Sequence, residues 1–164
     1  MSEYLFTQLR FVRGNTLKLV EALSEEQSEI VPEDFNNNIK WNLGHIYFIL
    51  ERNAFHFTQE DWVMPEVFPS LFSPGTKPEH GQRMPVSLSE ILELLENQID
   101  RIEATFSGRL KEKTTEDYTT SQGLYMSTVE EFLSCNLFHE GMHLDRIKVL
   151  KKLNRTKVNQ GTNH

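Results

Sequence analysis

Residues 87–106 read SLSEILELLENQIDRIEATF. Ser87 with Glu90 is a serine-x-x-glutamate capping box, a helix-start signal that satisfies two backbone donors reciprocally. Behind it Leu88, Ile91, Leu92, Leu95, Ile99, Ile102 and Phe106 recur at three- and four-residue spacings. That is the stripe of a helix burying one face. Working outward, the same spacing links Leu5, Leu9, Val12, Thr16, Leu17, Val20 and Leu23 in a first helix. Ser24 with Gln27 then makes a second capping box for a short turn, which Pro32 interrupts. A second long helix opens near Trp41, lines up Trp41, His45, Phe48 and Ile49, and ends near Phe57. The last long helix opens on Ser127 with Glu130. It carries Val129, Phe132, Leu133, Leu137, Met142, Ile147 and Leu150, and fades near Leu153. No run alternates with the period of a strand, so the expected fold is all-α, a four-helix bundle.

The connections set the order of the helices. About thirty residues separate helices two and three, an unusual length for a loop in a compact domain. They contain Pro65, Pro69, Pro74, Gly75, Pro78, Gly81 and Pro85, too broken to be a helix. A crossover running the length of the bundle lets helices two and three lie parallel, which predicts an up-down-down-up order. The expectation is one domain over 1–153, followed by a polar, disordered tail over 154–164. The chain has 164 residues, a net charge of -7 and a pI near 5.4. An acidic surface repels phosphate backbones and anionic headgroups, so neither nucleic acid nor membrane is an expected partner. The opening MSEYLFTQLRFVRGN lacks the layout of a secretion signal, and the single cysteine, Cys135, excludes an internal disulfide framework. These features predict a cytoplasmic protein.

There are six histidines. His139 and His143 are four apart, so their side chains project from one helix face about one turn apart. Two imidazoles so placed can bind one ion without distorting the backbone. Spacing alone also suits a coincidental pair on the surface, but the apolar stripe through Phe132, Cys135, Leu137 and Met142 turns the two toward the bundle interior or its mouth. There, two unpaired buried imidazoles are costly, and a metal answers both. His45, on the apolar stripe of helix two beside Gly44, reads either as a third ligand or as a core histidine bonded to a backbone carbonyl. His56 and His80, at a helix end and in the crossover, read as surface residues, and His164 is terminal.

The segment Lys40-Trp41-Asn42-Leu43-Gly44-His45-Ile46 resembles the W-x-x-x-H signature of the DinB-like superfamily. Phe138-His139-Glu140-Gly141-Met142-His143 resembles its closing H-x-x-x-H. Leu71-Phe72-Ser73-Pro74-Gly75-Thr76-Lys77-Pro78 resembles its Gly-Thr-bearing crossover. The likeness spans Met1 to Leu153. It implies an up-down-down-up bundle, often a homodimer, in which His45, His139 and His143 bind a divalent metal, zinc or nickel. It also implies chemistry of the kind run by thiol-dependent transferases and isomerases.

His139-Glu140-Gly141-Met142-His143 also satisfies the H-E-x-x-H pattern of zinc proteases. Glu140, one residue past His139, projects about 100° away from it, so a solvated or supporting place competes with a catalytic one. Three neutral imidazoles leave a metal most of its charge and one position open, which favours deprotonation of a bound thiol or water. The expected function is therefore a metal-dependent transferase that activates a low-molecular-weight thiol against an electrophilic small-molecule substrate. A metal-dependent hydrolase and a non-catalytic metal-binding bundle are the alternatives. Asn42 and Arg146 are expected at the cavity mouth, Arg146 to hold a carboxylate or to be a solvated helix-end arginine. Tyr47, Glu51 and Asp145 are candidates to orient imidazoles. Cys135 reads as a small buried hydrophobe or as a neighbour of the metal.

Overall fold

The computed structural model describes residues 2–79 and 81–161. Its long helices are α1 (Ser2–Val20), α3 (Ile39–Glu51), α5 (Leu88–Phe106) and α6 (Val129–Gly161). Between them lie two short helices, α2 (Glu25–Glu29) and α4 (Phe68–Phe72), and a hairpin, β1 (Lys113–Thr119) with β2 (Tyr125–Thr128). Both α1 and α3 pack against α5 and α6. The chain is mostly helical, as its spacing predicts.

Local chemistry explains the helix starts. The Ser24–Gln27 and Ser87–Glu90 boxes both form, opening α2 and α5. Asn38 caps α3, its Oδ1 accepting from Trp41 N at 2.7 Å. Every residue of α3 is buried, including Lys40, so this helix runs through the core. A fully buried ammonium needs anionic partners. Lys40 finds Glu25 and Glu29 of α2, whose carboxylates also accept from Leu88 N and Met84 N. One charge cluster thus ties together the starts of α3 and α5.

Four expectations are corrected. Residues 113–128 form an antiparallel hairpin where no strand is expected. Ser127 and Glu130 do not cap α6: the Glu131 carboxylate accepts from Ser127 N and Thr128 N, while Glu130 pairs with Lys111. The crossover holds the helical turn α4. α6 continues past Leu153 to Gly161, so most of the expected disordered tail is helix. His80 and His164 lie outside the described residues. No helix among those described is long and apolar enough to cross a membrane.

Candidate metal centre

His45 of α3 and His139 and His143 of α6 converge. One nitrogen from each lies within 4.8 Å of the other two, and no other such cluster of histidine, cysteine or carboxylate ligands occurs among the described residues. Four-residue spacing accounts for the α6 pair; the packing of α3 on α6 supplies His45.

Each ring is held by particular neighbours. His45 Nδ1 sits 2.6 Å from the carbonyl oxygen of Phe72, so its N–H donates there and its Nε2 carries the lone pair. Trp41, one turn earlier, stacks on the His45 ring at 4.7 Å and 13°. The indole N–H of Trp41 donates to Thr76 Oγ1, whose hydroxyl bonds back into the crossover at Leu71 O and Ser73 O. Gly75 makes that turn with φ +86, a conformation that suits glycine. The Gly-Thr crossover therefore clamps the first histidine. Gly44 is needed too, because an added Cβ would stand 2.3 Å from the Phe72 ring.

Asn42 holds His143. Its Nδ2 donates to Asn38 O and Asn37 Oδ1, which turns Oδ1 toward His143 Nδ1 at 2.8 Å. His143 therefore donates from Nδ1 and keeps its Nε2 lone pair free. Nε2 of His139 lies 3.2 Å from Nε2 of His45, while its Nδ1 is buried without a partner. Two nitrogens this close, one with its lone pair already facing inward, repel unless a proton or a cation lies between them. Two imidazoles on one tetrahedral zinc stand about 3.3 Å apart, so the spacing fits an ion. Burial lowers the basicity of all three rings, that of His139 to about 3 and that of His143 to about 4, with neighbouring imidazoles adding to the effect at those two. They are neutral near pH 7, the form that ligates.

The other expected residues sort clearly. Glu140 is buried and turned away from the histidines: it accepts from Arg13 Nε at 2.8 Å and Nη2 at 3.1 Å, from Thr16 Oγ1 and from Asn136 Nδ2. Such a carboxylate is neither solvated nor free to act as a base, which removes the zinc-protease reading. Glu51 binds Arg101, Gln98 and Val63 N, Tyr47 donates to Val63 O, and Asp145 is exposed; none of them orients an imidazole. Cys135 packs against Phe57, Met126 and Phe132, and burial pushes its thiol up. His56 is exposed beside Trp62. Arg146 and Asn42 do line a cavity of about 510 Å³ with Phe35, Trp41, Met142 and His143, and the Arg146 guanidinium lies 5.3 Å from the Phe35 ring.

Phe72 was missed because its contribution is a backbone carbonyl, which leaves no side-chain signature. Only the Gly-Thr crossover motif pointed to that segment.

Fold and site together define a helical protein with a three-histidine cluster suited to a divalent metal. The sequence pattern of the DinB superfamily matches residues 8–147, and the chain belongs to that superfamily. A crystal structure titled as the conserved protein of locus from Enterococcus faecalis is similar in fold, with a TM-score of 0.66 at 10% identity, over 95% of this chain and 98% of that one. A search of curated proteins found no match.

Proposed function

We propose that the chain holds one divalent ion, zinc or nickel, at His45, His139 and His143, and works as a metal-dependent transferase on a small thiol and an electrophilic substrate. The carrying observation is the convergence of three neutral imidazoles, two of them already anchored through Nδ1. When bound, such an ion supplies Lewis acidity at its open position, making a thiol or water there easier to deprotonate.

The chain's own residues do the rest. Phe72 O and Asn42 Oδ1 hold two tautomers with Nε2 free, and Trp41 fixes the plane of His45. Phe35, Trp41 and Met142 offer apolar walls beside His143, and Arg146 makes no ion pair among the described residues. The raised thiol of Cys135 is a poor nucleophile, so the reactive sulfur is to be supplied from outside.

An up-down-down-up order and a homodimer belong to the same reading. Gln98 meets Tyr47 O and Arg101 meets Glu51, so these pairs advance together along α3 and α5; His143 meets Asn42 and His139 meets His45, so those run oppositely. Exposed Phe11 and Phe138, on neighbouring helices α1 and α6, support self-association, which light scattering tests.

Metal analysis should find about one ion per chain, falling sharply in His45→Ala and His143→Ala. Unchanged stoichiometry in both variants sinks the site. Thiol-transfer assays with several low-molecular-weight thiols and a generic electrophile test turnover, and the absence of any metal-dependent rate favours a non-catalytic metal-binding protein. Chelation that abolishes cooperative unfolding favours a structural ion.

A further inference from the structure

Arg52 opens the π-helical turn Arg52–His56 that continues α3, its carbonyl accepting from Phe57 N. Such turns recur at functional sites. Arg52 lies seven residues past His45. An ideal helix drifts only ~20° over that interval, so the two side chains share a face. Phe57, one of the rings beside the guanidinium, packs 4.8 Å from the ring of Phe132 on α6, seven residues before His139, so Arg52 lies on the side of α3 that faces the histidine-bearing helix.

What distinguishes Arg52 is the company it lacks. Arg13 and Arg101, the other arginines drawn into the bundle, each pair with a carboxylate, Glu140 and Glu51. Arg52 has none among the described residues. The one side-chain hydrogen bond it makes among the described residues, from Nη2 to Oδ1 of adjacent Asn53, is long at 3.3 Å, and its Nε is buried without a partner. Around it stand the rings of Phe48, Phe57 and Tyr118, 5.7–6.0 Å from the guanidinium carbon. Rings attract a cation but do not neutralise it. A largely buried guanidinium without an anion is costly in a chain with 24 acidic residues to draw on.

We propose that Arg52 is a substrate-binding residue: its guanidinium holds the carboxylate of a small molecule whose reacting end lies at His45, His139 and His143, with Phe48, Phe57 and Tyr118 as apolar walls. A carboxylate matches both the planar fork and the single positive charge, whereas a phosphate dianion would leave one charge unanswered. The proposal rests on the metal-site reading only for the position of the reacting end.

The test is calorimetric titration of the full chain, metal-loaded and metal-free, with benzoate and its neutral isostere benzamide. Wild type should prefer benzoate in both forms. Arg52→Gln should lose that preference by on the order of tenfold or more, the worth of a charge-assisted hydrogen bond, with benzamide binding and metal content unchanged. Arg52→Lys should keep part of it. Unligated Arg52→Met should melt at a higher temperature than wild type, because an unpaired cation is gone. Equal binding of the two probes by wild type, or a preference that survives Arg52→Gln, overturns the proposal. So does a lower melting temperature for Arg52→Met, which assigns the guanidinium to packing on its rings. Metal stoichiometry, measured on the same samples, tests the metal reading separately: a chain that binds no ion yet prefers benzoate through Arg52 refutes only that reading.

Discussion

Gly44→Ala is the smallest change that should separate the clamp on His45 from the bundle. The added methyl would stand 2.3 Å from Cε1 of Phe72 and 2.5 Å from Cδ1 and Cζ, against about 3.5–4.0 Å for an ordinary carbon contact. The ring must retreat by more than about 1 Å. It has little room: Phe72 is fully buried, with the Phe68 ring 4.8 Å away. The strain therefore passes into the α4 backbone, whose Phe72 carbonyl accepts the His45 proton. Overpacking of this kind costs about 1–3 kcal/mol, and for a chain of this size each kcal/mol lowers Tm by about 2–4 °C. Losing the outer partner of a metal-binding histidine weakens metal affinity by about 10–100-fold. Thermal unfolding reads the first effect, and competition against a chromophoric chelator reads the second. A fall in Tm with metal affinity unchanged would refute the coupling of Gly44 to His45 through Phe72. A variant identical to wild type in both would refute the packing argument as well.

Gly141 is the matched control. It lies between His139 and His143, an added Cβ there meets nothing within 4 Å, and Gly141→Ala should raise stability by ~0.5–1 kcal/mol in chemical denaturation without touching metal affinity. Glu140→Gln should destabilise the protein by up to about 3–5 kcal/mol because the buried Arg13 loses its counter-charge, while metal affinity per folded chain holds; a metal loss as large as in His143→Ala would contradict this geometry. Asn42→Ala should weaken metal binding about 10–100-fold with the bundle still folded by circular dichroism, since His143 loses its acceptor. With His139 lowered to about 3 and His143 to about 4, the unfolded chain takes up protons first. The stability of the metal-free protein due to these rings is then full above about pH 6.5 and is lost as pH falls toward 3, which melting curves across that range should show.

Much of this is legible in the sequence. The Ser24–Gln27 and Ser87–Glu90 boxes, the helical stripes and the single-turn spacing of His139 and His143 all depend on atoms within a few residues of one another, so periodicity and capping chemistry reveal them. The hairpin was hidden because KTTEDYT leaves most of its side chains exposed and shows no apolar alternation. Its Thr-rich run and the following Gly123 were the available signals. Ser127 looked like a cap because a serine three residues before a glutamate is the same pattern whether a coil or a strand leads into the helix. Arg52 could have been found from its seven-residue spacing to His45. That it lacks a carboxylate could not.

The three histidines divide along the same line. Their identity as imidazoles, and the shared face of His139 and His143, follow from the chain alone because a helix sets that geometry locally. That His45 faces them is decided by the packing of α3 on α6. That its Nε2 is free depends on Phe72 O, a carbonyl from a segment 27 residues away. That Glu140 is turned away depends on Arg13, 127 residues distant. Interactions at such separations arise only when helices dock, and a backbone carbonyl looks the same at every position of a sequence.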